Sequence, residues 1–364
     1  MCTEPHHHPG AVAVSAIRPE SAFAPADPVT LTPVDAVALT TLVDNSTGLL
    51  LPDQGPVHRH GLLAATGAQR LATNVLDTGE TYDIPLAEHG FSMLVTVTRN
   101  GRDHHLLFDA GMTPSGLSDN MRRLGLSPFD IELVVLSHGH SDHVTGLDGF
   151  VRTVGPSNLP LVVHPGAFIK RRIAIPGLFE LELPSPSRNA LQQAGLEVVE
   201  RRQPSLLFDD SVLITGEVDR TSDFEHGMPF HEALTDGAWA PDPLILDDQA
   251  LIVHVAGHGL VVLTGCGHAG IVNIVRYARR LTGIETVAAV VGGFHLSGPA
   301  FEPIIKPTVD ALAEIGAEAD HPGALHRVAC RLCPRPSHAT RLHPQQCRLA
   351  PGTAKRTARL TPPP

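Results

Sequence analysis

The sequence has no apolar run approaching the roughly 20 residues of a membrane-spanning helix, and its N-terminus lacks a charged stretch followed by an apolar one. Both absences argue against a span or a secretory signal, so the chain is read as soluble and cytoplasmic. Cysteine is scarce as well. Five cysteines in 364 residues, three of them near the C-terminus, cannot staple a fold of this size. No basic stripe lies between the two ends, and the formal net charge of −11 disfavours nucleic acid and anionic membrane surfaces as partners. A small-molecule substrate is the expected partner, and the oligomeric state stays open.

What is present is enough apolar residue, 42%, to bury a substantial core in one large or two small domains. Residues 1–33 are rich in Pro, Ala and His, including Pro5-His6-His7-His8-Pro9, and are expected to form a disordered leader. Residues 34–318 carry the folded pattern. Ala38 to Val43, Ser92 to Thr98, His105 to Asp109 and Ile131 to Leu136 read as strands, the middle two joined by the hairpin signal Asn100-Gly101. Leu161 to His164, Ser211 to Thr215, Ala250 to Val253, Leu260 to Thr264 and Val287 to Val291 continue the series. Helices are expected over Gly116 to Leu124, Ile271 to Leu281 and Pro307 to Ile315. Strands alternating with helices, split into two halves near Pro184 to Pro186, predict an α/β layered fold. Residues 319–364 have no hydrophobic period and read as an aberrant, disordered tail.

The chemistry gathers in Ser137-His138-Gly139-His140-Ser141-Asp142-His143, directly after a buried strand. A turn there can point alternate side chains into one cavity. Neutral imidazoles hold a borderline ion at about 2.0–2.1 Å, and a carboxylate adds the charge to retain a second. Two ions roughly 3.5–4 Å apart would activate a water and polarise the bond it attacks. The bland alternative is a His-rich surface loop, which would not concentrate four ligands in seven residues at a strand end.

This segment resembles the His-x-His-x-Asp-His signature of the metallo-β-lactamase superfamily. Phe108-Asp109-Ala110-Gly111, Leu42-Val43-Asp44-Asn45, Glu88-His89-Gly90-Phe91-Ser92, Thr264-Gly265-Cys266-Gly267-His268-Ala269-Gly270 and Gly292-Gly293-Phe294-His295-Leu296 narrow the resemblance, over about Val34 to Ala317. They look like the subfamily named after dihydropterin ribofuranosyl-aminobenzene phosphate synthase.

The resemblance implies an αββα four-layer sandwich with two divalent metal ions at one edge, zinc, iron or manganese. It assigns His138 and His140 to one ion, Asp142 and His143 to the other, and Asp142 also to steering the nucleophile. His268 is favoured to complete the site. Cys266 is either a thiolate ligand or a buried small hydrophobe, and His295 either a ligand or a proton donor behind one. Asp109 would brace the histidine loop. Glu88, His89 and His164 are candidates for a substrate loop, against the alternative that isolated histidines in a chain with 22 of them are structural or exposed. The implied activity is metal-dependent hydrolysis of an ester, phosphoester or lactone, with a transferase of the synthase type as the alternative.

The C-terminus departs from that pattern. The resemblance implies a strand and a Pro-x-His-Cys-Thr-Gly-Trp segment after Ala317-Glu318, its histidine a last metal ligand, but the chain runs Asp320-His321-Pro322-Gly323 into an Arg/Pro-rich tail. With permitted codons, dropping the first base at Asp320 reads TIPAHCTGWRAVY, and the same shift at Leu342 reads FIPNSVG. A frameshift accounts for both and makes Cys330-Arg331-Leu332-Cys333 a decoy. Such a chain could be an inactive relic.

Overall fold

The computed structural model describes residues 8, 10–19, 28–50, 52–53, 56–316 and 346–349. Two sheets face each other. The first has seven strands in the spatial order Leu196–Glu200, Leu159–Val163, Leu133–Val135, Arg102–Phe108, Ser92–Arg99, Ala36–Val43 and Gln346–Leu349. Its first four strands run parallel and the rest antiparallel. The second has six, in the order Arg18–Pro19, Ser205–Leu207, Val212–Ile214, Ala250–Val255, Gly259–Thr264 and Val287–Val291.

Strand alternation sorts the apolar side chains into three buried layers, which is what makes the molecule an αββα sandwich. Val37, Leu39, Met93, Val95, Leu106, Phe108, Leu133 and Val135 meet Val212, Ile214, Leu251, Val253, Val261 and Leu263 between the sheets. The intervening residues Leu94, Leu107, Val134 and Leu136 point the other way, onto Leu117 and Met121 of helix Gly116–Arg123 and Leu147 and Phe150 of helix Leu147–Val154. On the far side Leu213, Ile252, Leu260 and Val262 pack on helices Ile271–Thr282 and Ile305–Ile315. Each such side chain, fully buried, contributes about 1.5–3 kcal/mol of transfer free energy.

The expected strands and helices are all present, with ends shifted by up to three residues. Asn100 (φ 52°) and Gly101 (φ 73°) make the tight turn of the expected hairpin. An accessory four-stranded sheet, Phe179–Leu183, Arg171–Ile175, His231–Thr235 and Ala238–Pro241, was not anticipated from sequence. Three of its strands carry charged residues, and its ion pairs Arg172–Glu180 and Arg172–Glu232 run between strands.

The two ends are described only in part, and the described pieces add detail to the expected leader and tail. Parts of the leader are docked: Arg18–Pro19 pairs with Ser205–Leu207, Ile17 lies between the sheets, and Val29 and Leu31 pack with the second sheet and its helices. A few apolar residues seat in existing grooves, a signal that average composition hides. In the tail, Gln346–Leu349 forms a strand at the edge of the first sheet, paired with Ala36–Val43. Cys330, Cys333 and residues 317–345 lie outside the described residues.

Candidate metal centre

The histidine segment leaves the C-terminal end of the inner strand Leu133–Val135 and is held by one buried carboxylate. Asp109, ending the neighbouring parallel strand, accepts from the Ser137 backbone N–H (2.7 Å) and the Ser137 hydroxyl (2.7 Å), and lies 2.7 Å from His143 Nδ1. Both ends of the segment thus hang on Asp109. Its φ of 59° is left-handed backbone, strained by about 1–3 kcal/mol in a non-glycine residue and better tolerated by Asp than by most. Between these anchors, Gly139 N donates to Asp247 Oδ2 (2.9 Å), and a Cβ at Gly139 would run into the Ala167 carbonyl. Ser141–His143 is one turn of 3₁₀-helix rather than a plain turn.

The segment folds back so that its side chains converge with two distant loops. The ligand atoms of His138, His140 and His268 lie within 4.8 Å of one another, as do those of His138, His143 and Cys266, and those of Cys266, His268 and His295. His138 Nε2 is 3.0 Å from His140 Nδ1, and His143 Nε2 is 3.0 Å from Cys266 Sγ. Because the Ser137 hydroxyl donates to Asp109, it can only accept from His138 Nδ1, 2.9 Å away. That leaves His138 Nε2 as the lone pair facing the cluster. His295 sits in left-handed backbone (φ 49°) after Gly292-Gly293, which carries the ring beside His268 at 4.6 Å between centroids.

Asp142 and His89 form the rim: Asp142 Oδ2 is 3.5 Å from His143 Nε2 and 3.5 Å from the exposed His89 Nε2. Among the described residues Asp142 belongs to none of the three groups. The other two expected substrate-loop residues are placed differently. Glu88 accepts from Met112 N (3.0 Å), Thr113 N (3.1 Å) and the Thr113 hydroxyl, so its carboxylate clamps a loop. His164 is buried, accepts from Gly166 N at the start of a 3₁₀ turn, and lies 3.6 Å from Glu217.

Burial divides these groups electrostatically. It drives His140 down to about 3, and takes His138 and His268 well below the ordinary imidazole range with help from neighbouring histidines. These rings are therefore neutral, as metal ligands must be. For His143, burial opposes charge but is outweighed by the Cys266 thiolate, Asp109 and Asp142, which raise it well above its usual value. Burial pushes the Cys266 thiol up, yet His143 and His295 bring it down to about 6. Asp142 is also desolvated, but His143, His140 and His89 hold it well below the usual carboxylate range.

These residues fit a metal ion on a direct observation. His140 Nε2 and both nitrogens of His268 are buried with no hydrogen-bond partner, whereas buried polar atoms are nearly always paired. Three neutral imidazoles whose lone pairs converge, beside a thiolate and a carboxylate, make a donor set suited to a borderline divalent ion.

Sequence reading missed the shell behind them. Asp247 links Gly139 to Arg171, whose Nη2 donates to Asp247 Oδ1 at 2.5 Å and whose Nε donates to Asp242 at 2.8 Å. Asp248 accepts from Ala269 N (2.8 Å) with Oδ2 while Oδ1 faces His138 Nδ1 at 4.0 Å, and burial raises it to about 7. Arg220 donates to the His268 carbonyl (3.1 Å). The pair Asp247-Asp248 sits in a loop with no periodic signal, so only its placement reveals it.

Comparison with known proteins agrees with this geometry. The family profile described as the metallo-beta-lactamase superfamily matches residues 87–280. A 7,8-dihydropterin-6-methyl-4-(beta-D-ribofuranosyl)-aminobenzene-5'-phosphate synthase of Methanocaldococcus jannaschii is 31% identical over 245 residues, covering 65% of this chain and 81% of that protein. An uncharacterized protein of the same organism is 31% identical over 229 residues, covering 62% and 79%. Among solved structures, a metal-dependent hydrolase of the beta-lactamase superfamily shares the fold with a TM-score of 0.52 at 22% identity, covering 78% of this chain and 85% of that one. Fold, histidine segment and family profile converge on one conclusion: the chain belongs to the metallo-beta-lactamase superfamily.

Proposed function

We propose that the chain is a metal-dependent hydrolase in which two divalent ions, zinc, iron or manganese, occupy the cluster and a water attacks an ester, phosphoester or lactone. The observation that carries this reading is the convergence of His138, His140 and His268 with orphaned buried nitrogens, next to the His143–Cys266 pair. His138, His140 and His268 would hold one ion, and Cys266, Asp142 and His143, the last giving up on metal binding the proton that its anionic neighbours favour, the other, with His295 beside Cys266 and His268. When bound, the ions supply Lewis acidity and lower the pKa of water. The chain's own groups do the rest. Asp109 fixes His143 and Ser137, Asp247 fixes Gly139, and Asp142, kept ionised at the rim, would accept a hydrogen bond from the attacking water and so steer it. A cleft of about 30 Å³ lined by Phe294, Leu296 and Phe301 opens beside His268 and His295 and would receive part of a small substrate. We place the protein in the cytoplasm, with no nucleic-acid or membrane partner.

A transferase of the synthase type is the second reading, favoured by the 31% identity to the synthase over 81% of its length. Incubating the metal-loaded protein with bis(4-nitrophenyl) phosphate, 4-nitrophenyl acetate and a simple lactone decides between them. Turnover of one, lost on chelation and restored by metal, supports the hydrolase. Two bound ions without turnover of any of the three would sink it and leave the transferase.

A further inference from the structure

His231 stands against the metal cluster without belonging to it. It opens the accessory strand His231–Thr235, is 2% exposed, and neither ring nitrogen has a hydrogen-bond partner. Its ring centroid is 5.0 Å from that of His140, with the planes inclined at 49°. Among the described residues it enters none of the groups whose ligand atoms converge. The backbone is fixed on both sides: His231 is registered with Ile173 in the sheet, and its carbonyl accepts from Asp242 N at 2.8 Å. The adjacent strand begins at Arg171, which is tied to Asp242 and Asp247, and Asp247 in turn holds Gly139. The accessory sheet is thereby locked to the histidine segment, and the imidazole is delivered to one place.

A rigid, buried imidazole one ring away from a ligand, with a donor unspent, is placed to meet what the ions bind rather than the ions themselves. Arg171 and His295 are within its electrostatic reach, as are Asp242 and Asp247, the two carboxylates that Arg171 binds and offsets, so the unspent donor on this wall is the His231 imidazole itself. A phosphoryl group suits it, because two ions engage only some of its oxygens and leave one needing a donor.

We propose that His231 is a substrate-contacting residue that donates a hydrogen bond to a phosphoryl oxygen, which makes a phosphoester the substrate class of the centre. This rests on the metal-dependent reading above and goes beyond it. The test uses the full chain reconstituted with zinc, as wild type, His231→Ala and His231→Gln, with metal content by mass spectrometry and inorganic phosphate binding by calorimetry. Metal content should be the same in all three, phosphate affinity should fall about tenfold in His231→Ala, and His231→Gln, which keeps a donor, should recover most of it. The KM for bis(4-nitrophenyl) phosphate should rise in His231→Ala while that for 4-nitrophenyl acetate stays put. Equal phosphate affinity in wild type and His231→Ala overturns the proposal, as does loaded wild type that binds no phosphate. Loss of metal from both variants overturns it too, since His231 would then support the ions. Failure of the underlying reading shows earlier and separately, as wild type that holds no metal before phosphate is added.

Discussion

The sandwich and the accessory sheet are built on opposite physical terms. Strands such as Leu133–Val135 and Gly259–Thr264 are buried at every position, so burial holds them and their sequences are nearly unbroken apolar runs. Strand Phe179–Leu183 is mostly exposed and reads Phe-Glu-Leu-Glu-Leu, and its neighbour begins Arg171-Arg172. The accessory sheet leans on cross-strand ion pairs and on one buried bridge, Arg171–Asp247. Yet the two are not independent, because that bridge ends on the backbone of the histidine segment, at Gly139. A part of the molecule that contributes little to the core contributes to the site.

The largest break in this comparison is removal of a ligand. His140→Ala should abolish retention of the ion shared with His138 and His268, read as metal content by mass spectrometry, and cut hydrolysis of a responsive ester by more than the roughly 10²–10⁴-fold expected for Asp142→Asn. Retention of the full metal complement by His140→Ala would refute the assigned site. The same measurement on a chain whose tail is restored to the alternative frame sharpens the reading of the C-terminus. Two ions there and fewer in the given chain would show that the tail matters, whereas two in both would show that His268, Cys266 and His295 suffice.

Next in size is the bridge. Asp247→Ala leaves the buried Arg171 guanidinium without its main partner and should cost about 3–5 kcal/mol in denaturant unfolding. It should also weaken metal affinity roughly 10–100-fold, as for other groups that orient ligands. A stability loss with metal affinity unchanged would separate the accessory sheet from the site and break the coupling argued above.

Acid provides a graded test in the metal-free protein. The folded-state values of His138, His140 and His268 are lowered, so their contribution to stability is fully present above about 6.5. It is lost as pH falls from there through the folded values, about 3 for His140. Thermal midpoints of the apo chain should therefore drop below pH 6.5, and bound metal should shift that fall to lower pH. A flat profile between pH 7 and 5 would show that these rings are not held neutral.

The smallest effect is expected within the accessory sheet. Arg172→Ala removes ion pairs to Glu180 and Glu232 near the surface and should cost no more than about 1 kcal/mol. A larger loss would mean that these pairs stabilise more than exposed pairs normally do.

How much could be read in advance follows the same division. Val34 to Val43, the Asn100-Gly101 hairpin, Asp109 and the segment Ser137 to His143 were legible because local periodicity, turn chemistry and ligand spacing reside in contiguous residues. The docking of Ile17, Val29 and Leu31 was not, since three apolar residues in a Pro-rich stretch give no period. Glu88 and His164 carry the right chemistry, but their hydrogen bonds to Thr113 and Gly166 commit them to loop bracing, and nothing in their neighbours announces that.

By itself the sequence determined the layered fold and the strand-end cluster of His138, His140, Asp142 and His143, because period and spacing are local properties of the chain. Cys266, His268 and His295 were candidates by resemblance, and the tertiary structure decided between their alternatives by bringing them to that cluster; it alone placed Asp247 and Arg171 behind it and His231 against it. Those residues come from different sheets and loops, and the free energy that assembles them is the burial of the two sheets against each other, which no local pattern records.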